Sequence, residues 1–128
     1  MGFCGDQAKY HAIYPQSWTV YNLPGQNVKL TLNQVSPIIP HDYMDSTLPI
    51  ALFNWNIENQ SDSDIELSLM FTWQSGSASN MFDLSDVSSE SFELNDYQTQ
   101  ASGVLIHQKL KKMNLDYCVA AKKTVNYC

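Results

Sequence analysis

The segment PIIPHDYMDSTLPIA, residues 37–51, brings His41, Asp42 and Asp45 close together between prolines. Imidazole and carboxylate side chains are common general acids and bases, and they are also frequent ligands of zinc. A metal site would need three or four such groups to converge, with further residues behind them to orient each one. The other two histidines of the chain lie on distant segments, so this cluster is short of ligands.

The same segment is typical of a stiff connection between two strands. Its three prolines restrict φ and favour extended conformations in the residues that precede them. The side chains of Asp42, Asp45 and Ser46 can hydrogen-bond nearby backbone groups in Asx and Ser turns. We therefore predict a structural crossover with no catalytic, cofactor-binding or metal-binding residue, and we keep His41, Asp42 and Asp45 as the alternative metal or catalytic candidates.

Other site chemistry has little support in the sequence. Glycoside hydrolysis needs two carboxylates, one of them in a partly apolar site, but Glu58 and Glu66 occupy polar strand positions. No GxSxG motif, Cys/His signature or phosphate-binding glycine loop is present, and no cofactor is expected. The three cysteines are widely spaced, which indicates free thiols, and Cys118 is predicted to be a small core residue.

Composition excludes one class of function. The chain of 128 residues has a net charge of −6, and all seven of its basic residues are lysines. Eleven acidic residues fall between Asp42 and Asp96, where no basic residue occurs. A nucleic-acid-binding protein needs a basic surface, so we expect no nucleic-acid partner. No signal-peptide pattern and no apolar run of membrane-spanning length is present.

Apolar residues alternate with a period of two, which is typical of strands with one buried face. The segments ALFNWNIEN and DIELSLMFTW, joined by the turn formers NQSDSD, predict a β-hairpin over residues 50–73. The segment VKLTLNQVS predicts a further strand with a bulge near Asn33 and Gln34. A short strand is expected from Trp18 to Tyr21, followed by a type II turn at Pro24 and Gly25.

Two more strands are predicted in SGVLIHQ and DYCVAAK. Residues 74–100 are rich in Ser, Asp and Glu, and we expect a long acidic loop there with a short strand near residues 90–94. Five or six short strands separated by turn signals predict an all-β fold, a partial antiparallel β-sandwich, with residues 1–128 forming one domain.

Aromatic residues suggest a binding function as an alternative. Three Trp and seven Tyr could form a platform on which a sugar stacks. Trp55 and Trp73 lie on the apolar faces of their predicted strands, so we predict that both belong to the core, while Trp18 and Tyr14 are left open. The alternative function is a free-standing carbohydrate- or partner-binding β-sandwich module.

Three long segments carry a resemblance to a known family: YHAIYPQSWTVY, LPGQNV and IIPHDYMDSTLPIA. With their surroundings they resemble the N-terminal region of the non-lysosomal glucosylceramidases, the bile-acid beta-glucosidases of glycoside hydrolase family 116. The resemblance extends from about Gly2 to Val125 and is weaker over residues 74–100.

The resemblance implies a β-sandwich that packs on an (α/α)6 catalytic domain. The family's nucleophile and acid/base residues belong to that C-terminal domain, so none is carried onto this chain. It also implies a retaining parent enzyme that hydrolyses glucosylceramide and is bound peripherally to the cytosolic face of ER or Golgi membranes. We expect the chain alone to be a non-catalytic, cytoplasmic fragment that supports the catalytic domain. Since a partial sandwich exposes strand edges, self-association is also expected.

Overall fold

The chain forms two compact units, Met1–Ser68 and Leu69–Cys128, each with one antiparallel sheet. The computed structural model describes residues 4–73, 87–96, 99–109 and 114–123. The first unit has a sheet of four strands and the second a sheet of three. The predicted all-β antiparallel fold is confirmed, and two such sheets are the components of a partial β-sandwich. That residues 1–128 form one domain stays a prediction.

The strands of the first sheet follow one another in sequence order, each antiparallel to the next. They are β1 (Ala8–Ile13), β2 (Gln16–Leu23), β3 (Val28–Val35) and β4 (Leu52–Asn59). A single 3₁₀ turn, Gly5–Gln7, precedes β1, and the four-residue helix α1, Tyr43–Ser46, lies between β3 and β4.

The central strand β3 provides the core of the first sheet. Val28 and Leu32 are only 4% and 7% exposed, and Leu30 lies between them on the same face. Burial of such a side chain stabilises a fold by roughly 2 kcal/mol. Leu32 pairs with Thr19 of β2 and with Trp55 of β4, so the strand predicted here is confirmed as β4. The prediction that its apolar face is buried is wrong, because Phe53, Trp55 and Ile57 are exposed.

The ladder of β3 runs without interruption on both sides, from Val28 to Val35. The bulge predicted near Asn33 and Gln34 is therefore wrong. The predicted type II turn is also wrong, because Asn27 has a positive φ of 51° and Gly25 does not. Two successive hydrogen bonds form the turn instead. Gln26 N donates to the carbonyl of Leu23, and Asn27 N donates to the carbonyl of Pro24.

Only the first arm of the hairpin predicted over residues 50–73 forms, since residues 64–73 adopt no regular secondary structure. Side chains close the chain locally after β4. The Asn59 amide donates to the carbonyl of Ser63 at 2.8 Å, and its oxygen accepts from the Ser61 backbone N–H at 3.0 Å. These Asx-type bonds occupy the Ser61 N–H and the Ser63 carbonyl, which would otherwise be available for the first pairs of a hairpin ladder.

Three residues predicted to be in the core are exposed. Trp55 is 39% exposed because β4 is the outermost strand of its sheet, although its ring stacks on Tyr21 at 6.2 Å. Trp73 is 52% exposed because it lies outside any strand, where it contacts the rings of Phe71 and Tyr117. Cys118 is exposed because its strand is also outermost.

The second sheet consists of β5 (Val87–Asn95), β6 (Gln100–Lys109) and β7 (Asn114–Lys122), in that order. The strands predicted in SGVLIHQ and DYCVAAK are confirmed as β6 and β7. The short strand predicted near residues 90–94 extends over Val87–Asn95 as β5, so the long loop predicted over residues 74–100 is wrong for this part. Residues 74–86, 97 and 98 of that predicted loop lie outside the described residues.

Gly103 is required where β6 passes between its neighbours. It pairs with Phe92 of β5, whose ring lies over it, and with Ala120 of β7. A Cβ at this position would lie 2.5 Å from the carbonyl oxygen of Val119 and 2.8 Å from the Phe92 ring. Glycine in a strand interior often marks such a close approach.

We expect Gly103→Ala to destabilise the protein by about 2 kcal/mol, because overpacking against fixed backbone costs about 1–3 kcal/mol. The lower entropy of the unfolded alanine chain returns less than 1 kcal/mol of this. Urea unfolding followed by circular dichroism measures the difference. Gly5→Ala is the matched control, since nothing lies within 4 Å of its added Cβ. Equal unfolding free energies for the two variants would contradict the proposed clash.

Candidate functional site

Residues 37–51 form the crossover between β3 and β4, and Asp42 begins its helix. The Asp42 carboxylate accepts a hydrogen bond from the backbone N–H of Asp45 at 3.0 Å, which makes Asp42 the N-cap of α1. An N-cap carboxylate satisfies one of the backbone donors that a helix leaves unpaired in its first turn. The predicted Asx capping role of Asp42 is confirmed.

Ser46, at the end of α1, is hydrogen-bonded back to the start of the same segment. Its hydroxyl accepts from the backbone N–H of Ile39 at 2.8 Å and donates to the carbonyl of Ile39 at 3.1 Å. His41 has a positive φ of 66°, and Asp42 N donates to the Ile39 carbonyl across the turn. A proline followed by a residue of positive φ, as in Pro40–His41, is typical of a type II turn.

The three predicted candidates of this segment do not converge on a common point. Asp42 is engaged in capping, while His41 and Asp45 are exposed. Within the residues that the structure describes, no group of three His, Cys, Asp or Glu side chains could hold a metal ion. The local hydrogen bonds give Asp42 and Ser46 a structural role, whereas His41 shapes the backbone.

The second sheet has an ionic cluster that the sequence patterns did not single out. The Nδ1 atom of His107 on β6 lies 2.8 Å from Asp116 Oδ1 on β7, and its Nε2 atom lies 3.6 Å from Glu90 Oε1 on β5. The imidazole thus joins all three strands on one face of the sheet. Its side chain is 41% exposed, and each carboxylate is 66% exposed.

The hydrogen bond with Asp116 raises the pKa of His107 above its ordinary value of 6.5, and the Glu90 carboxylate adds to this effect. Partial desolvation of the ring acts in the opposite direction. Because the folded pKa is raised, the contribution to stability is fully present below pH 6.5 and is lost as the pH rises through the folded value.

A Ser–His–Asp set also exists in this row of residues, because Ser88 of β5 pairs with His107. Nucleophilic catalysis would need Nε2 to face the serine hydroxyl. Nε2 instead lies near Glu90, and both carboxylates are open to solvent. A cross-strand ionic cluster accounts for this geometry better than a catalytic triad does.

Two further carboxylates of the strands, Glu58 and Glu93, form ion pairs with lysines. Glu58 of β4 forms an ion pair with its cross-strand partner Lys29 at 3.0 Å, and Glu66 is exposed. Glu93 of β5 lies 3.4 Å from Lys123. Asp83 and Asp86 are outside the described residues. Such exposed ion pairs contribute at most about 1 kcal/mol each.

Free thiols are found at both described cysteines, Cys4 and Cys118, while Cys128 lies outside the described ranges.

Among the aromatic candidates, Trp18 is half-buried and Tyr14 is 80% exposed. Trp18 and Tyr21 belong to opposite faces of β2, so they do not share one platform.

Fold and side chains together define an all-β antiparallel module whose polar clusters cap turns and join neighbouring strands. In the part of the chain described here, no helix has the length and apolar character needed to cross a bilayer. A family model described as beta-glucosidase 2, glycosyl-hydrolase family 116 N-term, matches residues 1–128. The chain belongs to this family of N-terminal domains.

We expect Asp42→Ala to lower the free energy of unfolding by about 1 kcal/mol, since the N-cap bond is lost. Asp42→Asn should change it little, because an amide oxygen accepts the same bond. Urea unfolding of both variants, with Asp45→Asn as a control for carboxylate charge, measures the effect. A loss in Asp42→Asn as large as that in Asp42→Ala would show that the charge of Asp42, and not its capping, is what matters.

We expect His107 to titrate with a midpoint above 6.5, because the Asp116 hydrogen bond favours the imidazolium. Asp116→Asn should move the midpoint down, and Asp62→Asn in the first unit serves as the matched control. Proton NMR of the imidazole resonances across the pH range measures the midpoint. A midpoint that is the same in wild type and Asp116→Asn would rule out this pair as the cause.

Proposed function

We propose that this chain is a non-catalytic part of the N-terminal β-sandwich of a beta-glucosidase that acts on glucosylceramide. The observation that carries the proposal is the family match over residues 1–128. Two antiparallel sheets agree with the all-β fold expected of such a domain. The roles found for Asp42 and His107 in capping and strand joining also agree with a supporting function.

In this proposal the partner of the chain is an (α/α)6 catalytic domain that supplies the nucleophile and the acid/base carboxylate. The complete enzyme would act on glucosylceramide from the cytosolic face of ER or Golgi membranes, in glucosylceramide catabolism. The exposed apolar residues of β4, Phe53, Trp55 and Ile57, offer a surface that a partner could cover. Without a partner, the same surface would favour self-association of the chain.

A free-standing carbohydrate- or partner-binding module is the second candidate function. One observation favours it: Tyr10 and Tyr14 expose 65% and 80% of their surface near the β1–β2 turn. Exposed tyrosines present an apolar ring and a polar hydroxyl, and both groups are suited to a sugar ligand. This candidate needs neither a catalytic domain nor a membrane.

An activity assay distinguishes a supporting domain from an autonomous hydrolase. We expect the purified chain to release no fluorophore from 4-methylumbelliferyl β-D-glucoside, because hydrolysis requires a pair of suitably placed carboxylates. A separately expressed family 116 catalytic domain should gain activity and thermal stability when the chain is added. As a control, the chain carrying Trp55→Lys is added to the same catalytic domain. It should raise the activity and thermal stability of that domain less than the wild-type chain does.

Two outcomes would contradict the proposal. Hydrolysis by the chain alone that Asp42→Asn abolishes would make residues 37–51 an active site. A catalytic domain that is fully active and stable without the chain, and that does not co-purify with it, would remove the supporting function. Sedimentation velocity of the same preparation over a range of concentrations measures self-association.

A further inference from the structure

A cleft lies at one end of the first sheet, over a row of four cross-strand neighbours. Ala12 pairs with Ser17, Ser17 with Gln34, and Gln34 with Phe53, so one residue of each strand contributes to this row. All four belong to the same face. Ala12 and Ser17 are small, which leaves space above them, and the cleft has a volume of about 420 Å³. That volume is within the usual range of small-ligand sites.

Aromatic rings border this space on two sides. Tyr10 precedes Ala12 on the same face of β1, and Tyr14 lies in the turn between β1 and β2. Phe53 borders the cleft from β4 and is 42% exposed. The apolar faces of the two tyrosine rings are accessible, since both tyrosines are more than half exposed.

Polar groups of the floor are held in place by hydrogen bonds. The Ser17 hydroxyl donates to Gln34 Oε1 at 3.1 Å, and Asn33 Nδ2 donates to the Ser17 carbonyl at 3.4 Å. The Gln34 side chain is therefore fixed through its oxygen, and its amide NH₂ group can donate to a ligand. At the end of the cleft, Ser36 N donates to the Pro15 carbonyl and joins the two segments.

The cleft is uncharged in a chain whose net charge is −6. None of the residues that line it is Asp, Glu, Lys, Arg or His. Metal ions, phosphates and carboxylates would find no opposite charge there, and burying an unpaired charge is unfavourable. A ligand that fits this lining is neutral, with hydrogen-bonding groups at its edge and an apolar face that stacks on an aromatic ring.

We propose that this cleft binds the ring of a neutral hexopyranose, which stacks on Tyr14 and hydrogen-bonds with Gln34 and Ser17. A hexopyranose carries C–H groups on its face and hydroxyl groups around its edge, which matches the arrangement of rings, amide and hydroxyl in the cleft. The sugar could be free in solution or the headgroup of a glycolipid. This inference rests on the second candidate function, the carbohydrate-binding module, and names its ligand. It requires no catalytic domain, so a failure of the binding test would leave the supporting function of the β-sandwich unaffected.

Titration with methyl β-D-glucopyranoside, followed by ¹⁵N–¹H NMR of the full chain, tests the proposal. We expect saturable shifts confined to residues of the cleft. Loss of one stacking contact should weaken binding by about twofold to tenfold in Tyr14→Ala. Tyr14→Phe keeps the ring and should retain most of the affinity, while Gln34→Ala should weaken binding without removing the ring.

The matched control is Tyr43→Ala, which removes a tyrosine of the same unit that is 84% exposed and lies outside the cleft. It should bind like the wild type. Methyl β-D-galactopyranoside, as a second probe, measures selectivity between hexoses.

A vesicle assay separates the two sources of the sugar. Phosphatidylcholine vesicles with and without a glucosylated lipid are floated with wild type and Tyr14→Ala. Saturable binding of the free glycosides at the cleft would support the proposal for a sugar in solution. Flotation that needs both the glycolipid and Tyr14 would support it for a glycolipid headgroup. The absence of both, or a loss in Tyr43→Ala equal to that in Tyr14→Ala, would overturn it.

Discussion

Pairing of β3 with a strand on each side is the constraint on which the first sheet depends. Because the ladder from Val28 to Val35 is uninterrupted, it fixes which side chains of four strands share a face. It buries Leu32 at the centre and leaves Trp55 on the outermost strand with a neighbour on one side only. The same register aligns Ser17 with Gln34 at the end of the sheet. A slip of one residue would exchange the apolar and polar faces, so the core and the cleft have a common origin.

Much of the fold could be predicted from the sequence, since a period of two identifies a strand wherever a single face is apolar. That pattern predicted β3, β4, β6 and β7. It could not distinguish a strand from a segment without regular secondary structure, so residues 64–73 were predicted as a strand although Asn59 and Ser61 close the chain locally before them. Nor could it tell an outer strand from an inner one. This is why Trp55 and Cys118 were expected in the core, whereas both are exposed.

The two polar clusters differ in how far the sequence could predict them. Capping by Asp42 involves a partner three residues away, and interactions of that range can be recognised from residue type and spacing. The His107 cluster depends on the register between β6 and β7, which sets Asp116, and not Leu115 or Tyr117, opposite the imidazole. The residues that connect those strands do not specify the register in any simple pattern. Long-range ionic contacts of this kind therefore become visible only when the strands are paired.

Because Phe92 and Gly103 are in contact, the residues that can be accepted at these two positions depend on each other. The ring covers the glycine, and the backbone of β7 leaves no space for a larger residue beneath it. A substitution at Gly103 could be accepted only if the neighbouring strand also moved, whereas a smaller residue at position 92 would uncover the glycine and the backbone around it. Among related sequences these two positions should covary as a pair, so a single column of an alignment would understate how strongly the sheet restricts either one.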